Sequence, residues 1–451
     1  IYKIFPSIYT ILSVRHLFIG LGVFPVYFIS KRAFNSRGAA LLFSITYLLF
    51  NPLHHLSFVD DESLLIVFSI LFVLSAFYAM ESNKFLLFLF LCLGAMIAKS
   101  DDSFFMIPVF AILAFFRKMP LRWKLSPVLL GAGYFLFDSL VILPVMNYFT
   151  GGYAIMESMY VNHLFETNAE NLPFLKLLSG NIGLLFTRIT SWHTLKTNAI
   201  IIAGLFDPRI YFISFLVPEI LIIGILPALF FAQISAQSYF FSLGMAQHIR
   251  YLAIFIFIGS IFGVRRFINF MVNRSIIPCD LKKKAFCVAG LIFLTFTFFS
   301  NLGQNILLPS REVMSENKNP IPDNKYINAR NMYDPLFYTM DEKDRLAWEF
   351  ISLIPENASV STTQYYLAAL SGRDKVYFFG TTKEVNWCEG HDFDADFIFI
   401  NKVDEYTGYG GVEVDYARIT GRLESLRKSA DYEIIKENDY FVLFRRRKSN
   451  N

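Results

Sequence analysis

In a chain dominated by apolar runs, ionisable side chains inside or at the edge of those runs are costly to keep, and chemistry is expected there. The densest group is His54, His55, Asp60, Asp61 and Glu62. Three consecutive carboxylates beside paired imidazoles can hold a hard divalent cation such as Mg or Mn, or orient sugar hydroxyls and phosphate through it. The same acids can sit in a hydrated loop and cap the helix expected to start near Ser63, where negative charge is favourable. A second group, Lys99, Asp101 and Asp102, ends the apolar run 85–98. Lys99 can neutralise a lipid-linked phosphate, and Asp101 can orient a substrate or act as a base. A Lys–Asp pair that seats a tight turn in the membrane interface is the structural alternative.

Two further groups are looser. The connection 147–194 carries His163, Glu166, Glu170, Arg188 and His193, of which Arg188 is best suited to forked hydrogen bonding with phosphate; hydration alone also accounts for such residues. Gln247, His248 and Arg250 stand at the mouth of a late apolar run. There His248 and Arg250 can bind a phosphate or pyrophosphate, or Arg250 can simply snorkel to the interface. Asp138 and Glu219 are isolated within apolar stretches, as helix–helix hydrogen-bond contacts or as parts of a polar cavity, and Arg15 is also buried in a run. No P-loop or HExxH motif occurs, and four scattered cysteines without CxxC spacing indicate neither a zinc site nor a disulfide framework.

The elements that must position these groups are membrane helices. Of the 451 residues, 55% are hydrophobic and only 17% charged, with 51 Phe, against about 45–50% and about 25% in a typical soluble domain. The chain is too apolar for a single soluble core, and its net charge of +4 is too small to argue for nucleic acid. Run length gives about ten membrane segments, near 8–30, 38–53, 63–80, 85–98, 103–116, 125–146, 195–206, 210–232, 249–264 and 285–300. The weakest, 195–206, reads as a re-entrant half-helix. Basic clusters at Lys31, Arg32 and Arg37, at Arg117 to Lys124, and at Arg265 to Lys284 all fall on one side of that count, which the positive-inside rule makes cytoplasmic. The chemistry-bearing groups then face outward. Ile1 also falls outside, so a cytoplasmic N-terminus requires another segment upstream.

Three regions follow: a multi-pass membrane domain over 1–300, a Pro- and Asn-rich linker over 301–340, and an extracytoplasmic α/β domain over 341–451. The last has a helix capped by Asp341 and running to about Leu353. Short strands fit 359–362, 375–379 and 397–401, and an amphipathic helix fits 412–428. A hairpin of 432–436 and 440–445 turns at Asn438-Asp439.

The order of features resembles the bacterial and archaeal membrane family known as domain of unknown function 2079, itself distantly similar to the C-type (GT-C) glycosyltransferases. The likeness begins with Leu21-Gly-Val-Phe-Pro-Val-Tyr27, Lys31-Arg32 and Arg37-Gly-Ala-Ala-Leu41. The family's outer-loop Phe-His-Pro-Glu reads Val59-Asp60-Asp61-Glu62 here, keeping Glu62, and its Lys-Glu-Asp reads Lys99-Ser100-Asp101. Gln247-His-Ile-Arg-Tyr251, Gly263-Val-Arg-Arg266 and, in the tail, Ile354 to Ser361, Asp396 to Ile400 and Arg445-Arg-Arg447 continue it.

That resemblance implies a GT-C-like protein of a prokaryotic plasma membrane that moves a sugar from a polyprenyl-phosphate donor to an outer-face acceptor. Asp60 and Glu62 would bind metal or sugar, with Asp61 as a further metal ligand. Lys99, Arg188, His248 and Arg250 would hold donor phosphate, and Asp101 would orient the acceptor. The family's first-loop catalytic Asp would lie upstream of Ile1. Two other classes compete: a transporter or flippase, marked by charges midway along helices, and a non-enzymatic envelope scaffold acting through its tail. Donor, acceptor, metal dependence and oligomeric state have no signature in the sequence.

Overall fold

The computed structural model describes residues 8–50, 64–103, 106–142, 144–145, 206, 209–234, 246–303, 342–363, 366, 369–370, 373, 375–379, 395–402 and 423–447. The N-terminal part is helical: α1 (Ile8–Leu21), α2 (Val23–Phe34), α3 (Arg37–Leu48), α4 (Leu64–Glu81), α5 (Phe85–Ala98), α6 (Val109–Phe116), α7 (Leu121–Phe137), α8 (Pro218–Ile234), α9 (Ala246–Asn273) and α10 (Lys282–Gly303). Among the described residues four helical stretches are long and apolar enough to cross a bilayer: Ser13–Phe34, Leu121–Ile142, Tyr251–Asn273 and Cys279–Ser300. A bent pair, Arg209–Leu216 with Pro218–Leu226, makes a fifth if counted as one span.

The expected segments thus reappear in altered form. Those at 38–53, 63–80 and 85–98 are shorter apolar helices, and only Phe206 of 195–206 is described. The segment 103–116 contracts to the eight residues of α6, preceded by a 3-10 turn at Ser100–Ser103, because Pro108 and Pro120 bracket it. The segment 210–232 is no straight helix. It bends by 110° at Val217, where Pro218 opens α8 and bars helical backbone in the residue before it. Arg266 caps the break, donating to the Leu216 carbonyl and to Glu219.

Helix α9 is the pillar. Its membrane window is 83% buried by protein, against 11% for Leu121–Ile142, so α9 is enclosed while α7 offers its side chains to lipid. It contacts α2, α4, α8, α10 and the 3-10 segment Arg209–Leu216. Close approach needs glycine: a Cβ at Gly224 of α8 would meet the Leu252 Cα and the Tyr251 carbonyl oxygen, each at 2.8 Å.

Four tight connections reverse the chain at one end of the bundle. Each places a non-glycine residue in left-handed backbone: Asn35, Asn83, Lys118 and Ser275. The α2–α3 turn shows the mechanism, with the Asn35 N–H returning to the Lys31 carbonyl and Ser36 accepting from the Ala39 N–H to start α3. The basic clusters gather at this end. Glu81 closes α4 and pairs with Arg117 at 3.2 Å, with Arg32 and Arg265 adding attraction.

The C-terminal part has its own sheet, ordered β2-β1-β3-β5-β4: β1 (Val360–Thr362), β2 (Val376–Phe378), β3 (Phe397–Asn401), β4 (Tyr432–Glu437) and β5 (Phe441–Arg446), preceded by α11 (Glu342–Ser352). Strand β1 runs parallel to β2 and β3, and β5 runs antiparallel to β3 and β4. All five residues of β3 are buried. Phe397 and Phe399 face the α11 core of Ala347 and Phe350, and Ile398 and Ile400 face Leu423 and Leu426, so both faces are covered and the strand is apolar throughout. The Asn438 side chain accepts from the N–H groups of Tyr440 and Phe441 at the β4–β5 turn. Of the expected helix 412–428, residues 423–428 are described and helical; Asp341 lies outside the described residues.

Asp396 ties this sheet together. Its carboxylate accepts from the Ser359 N–H at 2.9 Å and the Ser359 hydroxyl at 2.7 Å, and its carbonyl accepts from the Arg446 N–H. The two hydrogen bonds from Ser359, side-chain first, hold its carboxyl below the ordinary carboxylate range. A lowered folded value gives stability that is present above the unfolded value, about pH 4, and is lost as pH falls through the lower folded one. Hydrogen exchange of peptides spanning β1 and β3, corrected for intrinsic rates, is expected to show more opening as pH drops below that value. Asp396→Asn is expected to flatten this dependence, and an unchanged profile would assign it to other carboxylates.

Candidate functional site

Opposite the basic end, a carboxylate is held inside the bundle. Helix α5 stops at Lys99, whose extended backbone still donates its N–H to the Ala95 carbonyl. The chain then tightens into Ser100–Ser103, because successive Ser and Asp side chains compete with helix hydrogen bonding. Ser103 turns its hydroxyl back to the Ser100 carbonyl at 2.6 Å. The main chain of Asp102 joins the two sides: its N–H donates to the Lys99 carbonyl, and its carbonyl accepts from Met106 and Ile107. Helix α7 closes on this turn through Gly131, where a Cβ would collide with the Ser103 carbonyl and approach Pro108 to 3.1 Å.

The Asp102 side chain points inward and has no solvent exposure. One of its oxygens, Oδ2, accepts hydrogen bonds from the Ser69 hydroxyl of α4 and from the Tyr251 hydroxyl of α9. The two hydroxyl oxygens are themselves 2.5 Å apart, and both residues are fully buried. The cluster lies about 18 Å along α4 from Glu81, since Ser69 precedes it by twelve residues at about 1.5 Å each.

Three separate parts of the sequence meet here: α4, the turn after α5, and the start of α9. Tyr251 fixes the first turns of α9 against the Lys99 turn, and His248 and Arg250 stand three residues and one residue before it on the same helix. The expected phosphate-binding residues Lys99, His248 and Arg250 are thus on elements that this cluster joins. Lys99 itself is half-buried, and Asp101 occupies the same turn as Asp102. His54, His55, Asp60, Asp61, Glu62, His163, Glu166, Glu170, Arg188 and His193 lie outside the described residues. Among the described residues no group of three or more His, Cys, Asp or Glu side chains could hold a metal ion.

The isolated charges also find places. Glu219 is paired with Arg266 of α9 at 2.9 Å, the helix–helix contact that was one of its two expected roles. Asp138 is half-buried at the start of a π-helical turn that prolongs α7. Arg15 is buried on α1, three residues before Phe18, whose ring lies 3.8 Å from that of Phe68, the neighbour of Ser69. Ser69 carries no signal in the sequence, since a hydroxyl in an apolar run reads as ordinary helix, and Tyr251 appears there only as the end of the Gln247-to-Tyr251 likeness. Asp102 was visible only as an ion-pair partner for Lys99.

An acceptor without exposure makes its donors matter. Tyr251→Phe is expected to destabilise the protein by about 1–3 kcal/mol, the range for stranding a buried polar partner. The cycle of Ser69→Ala with Tyr251→Phe is expected to show coupling of about 0.5 kcal/mol or more. Thermal melts of the single and double variants in one detergent measure both, and additive losses would show that the two hydroxyls do not share Asp102.

Residues 1–443 match the family model described as "Predicted membrane protein (DUF2079)". No curated protein matches the chain.

Proposed function

The chain belongs to the DUF2079 family of predicted membrane proteins, and from that premise we propose that it is a membrane glycosyltransferase using a polyprenyl-phosphate sugar donor. The reading rests on one observation. The buried Ser69–Asp102–Tyr251 cluster joins the Lys99 turn to the start of α9, so a cation at the end of an apolar helix is held on the same platform as His248 and Arg250. A polyprenyl-phosphate donor presents a phosphate at the membrane interface, the depth at which such cations are tolerable.

In this reading Lys99, His248 and Arg250 bind the donor phosphate, with Arg188 as a further contact. Charge neutralisation at that phosphate favours its departure as a leaving group. Asp101 orients the acceptor hydroxyl for attack on the anomeric carbon and takes its proton; Asp60, Asp61 and Glu62 would bind sugar hydroxyls or a divalent metal. Asp102, enclosed among side chains, is a positioning residue. The working end faces outward, the basic end is cytoplasmic, and 341–451 forms an extracytoplasmic domain. The gathering of Arg32, Arg117 and Arg265 around Glu81 supports that orientation.

The 110° break before α8 favours one other reading, a transporter, because such proteins build substrate sites from interrupted helices. Proteoliposomes loaded with a radiolabelled polyprenyl-phosphate sugar separate the two. A transferase frees the sugar from its lipid in the presence of an acceptor, whereas a transporter moves the intact substrate between leaflets or compartments.

Two outcomes are expected. Lys99→Met should leave the melting temperature near that of the parent and weaken retention of polyprenyl phosphate about tenfold or more in nanodiscs, as for loss of a charge-assisted hydrogen bond. Unchanged retention by the folded variant would move Lys99 to a purely structural role. Cys279 is exposed between α9 and α10. In a variant keeping it as sole cysteine, an impermeant maleimide should label it from the cytoplasmic side only, and labelling from outside would invert the orientation.

A further inference from the structure

We propose that the tip joining α9 and α10 is a docking surface for the headgroups of anionic phospholipids, at the end of the bundle away from the Asp102 cluster. Helix α9 has 28 residues, about 42 Å at about 1.5 Å per residue, and so outruns a hydrocarbon core of about 30 Å. Its last turns and the connection to α10 therefore emerge at headgroup level.

Most of the charges there have no carboxylate partner among the described residues. Arg265 and Arg266 are engaged with Glu81 and Glu219. Arg274, Lys282, Lys283 and Lys284 form no ion pair with any described residue, and Asp280 is the only acid between Asn273 and Cys287. The three lysines occupy the first turn of α10, where positive charge is unfavourable to a helix, so they do not serve its stability.

Apolar groups alternate with these cations. Phe270, Ile276 and Leu281 are exposed, and the Arg274 guanidinium lies 5.5 Å from the Phe270 ring centroid. Net positive charge interleaved with exposed apolar side chains complements one occupant on both counts: an anionic lipid, which brings a phosphate for the cations and acyl chain for the rings. A soluble anion would answer only the charge, and a second copy of this chain would bring the same positive charge against it.

Native mass spectrometry of the whole protein released from nanodiscs tests this. Discs contain phosphatidylcholine alone or phosphatidylcholine mixed with phosphatidylglycerol. Both leaflets of a nanodisc are open to solvent, so a change in insertion direction cannot imitate a loss of binding. The parent protein is expected to retain phosphatidylglycerol adducts in preference to phosphatidylcholine. The combined variant Arg274→Gln, Lys282→Gln, Lys283→Gln and Lys284→Gln is expected to bind phosphatidylglycerol about tenfold or more weakly, with phosphatidylcholine retention unchanged. The smaller variant Lys283→Gln with Lys284→Gln, on the exposed side of the first turn, should show part of that loss if the larger one fails to fold. Equal retention of the two lipids by the parent, or equal phosphatidylglycerol retention by parent and folded variant, would overturn the proposal. So would displacement of the lipid by glycerol phosphate at matched concentration, or a parent dimer that the variant abolishes. Retention of polyprenyl phosphate at the Lys99 end is independent of this result.

Discussion

A carboxyl group with no access to water has to be satisfied by the protein, and that requirement organises the membrane part of this molecule. Asp102 meets it with hydroxyls from two helices that are distant in sequence, Ser69 and Tyr251. Burying such a group without partners costs several kcal/mol, so α4, the turn after α5 and α9 are held in one arrangement. In lipid the hydrophobic effect does not favour one helix packing over another, and polar contacts and close steric fit decide instead. Gly131 and Gly224 supply the fit on either flank, each at a place where a Cβ would strike backbone of the neighbouring element.

The opposite end follows different electrostatics. Two of its acids, Glu81 and Glu219, are largely buried and each is paired with an arginine, so removing either partner would strand the other. Their value is organisational: Glu81 draws together the ends of α2, α4 and α6 and the body of α9. A bundle tied by a buried hydroxyl–carboxyl cluster at one end and by arginine–carboxylate pairs at the other has a built-in polarity. That polarity matches the division of labour proposed for it, substrate phosphate at one end and the anionic membrane surface at the other.

The break between Leu216 and Pro218 fits the same logic. An interrupted helix exposes carbonyls that lipid cannot satisfy. Arg266 donates to Leu216, and Ser214 and Ser260 turn their hydroxyls to the Tyr211 carbonyl. The irregular backbone is thus tolerated because its inner side packs on α9 and finds donors there, although Phe212, Phe215 and Leu216 remain exposed.

Local sequence determined a good deal by itself. The apolar runs, the turn at Asn438, the short strands of the tail and the grouping of Lys and Arg between runs all follow from nearest-neighbour chemistry, so their positions were legible before any tertiary contact was known. So was the end of an apolar helix at Lys99, because a cation followed by Ser and Asp is conspicuous there. Tertiary structure alone decided which acid of that turn is buried, that Ser69 and Tyr251 reach it, that α9 rather than the equally apolar α7 is enclosed, and that Glu219 belongs to Arg266. Each of these depends on which helix faces meet, and meeting faces are set by shape and by pairing across scores of residues. Helical periodicity does not separate a serine that will bond a carboxylate on another helix from one that will turn back on its own backbone.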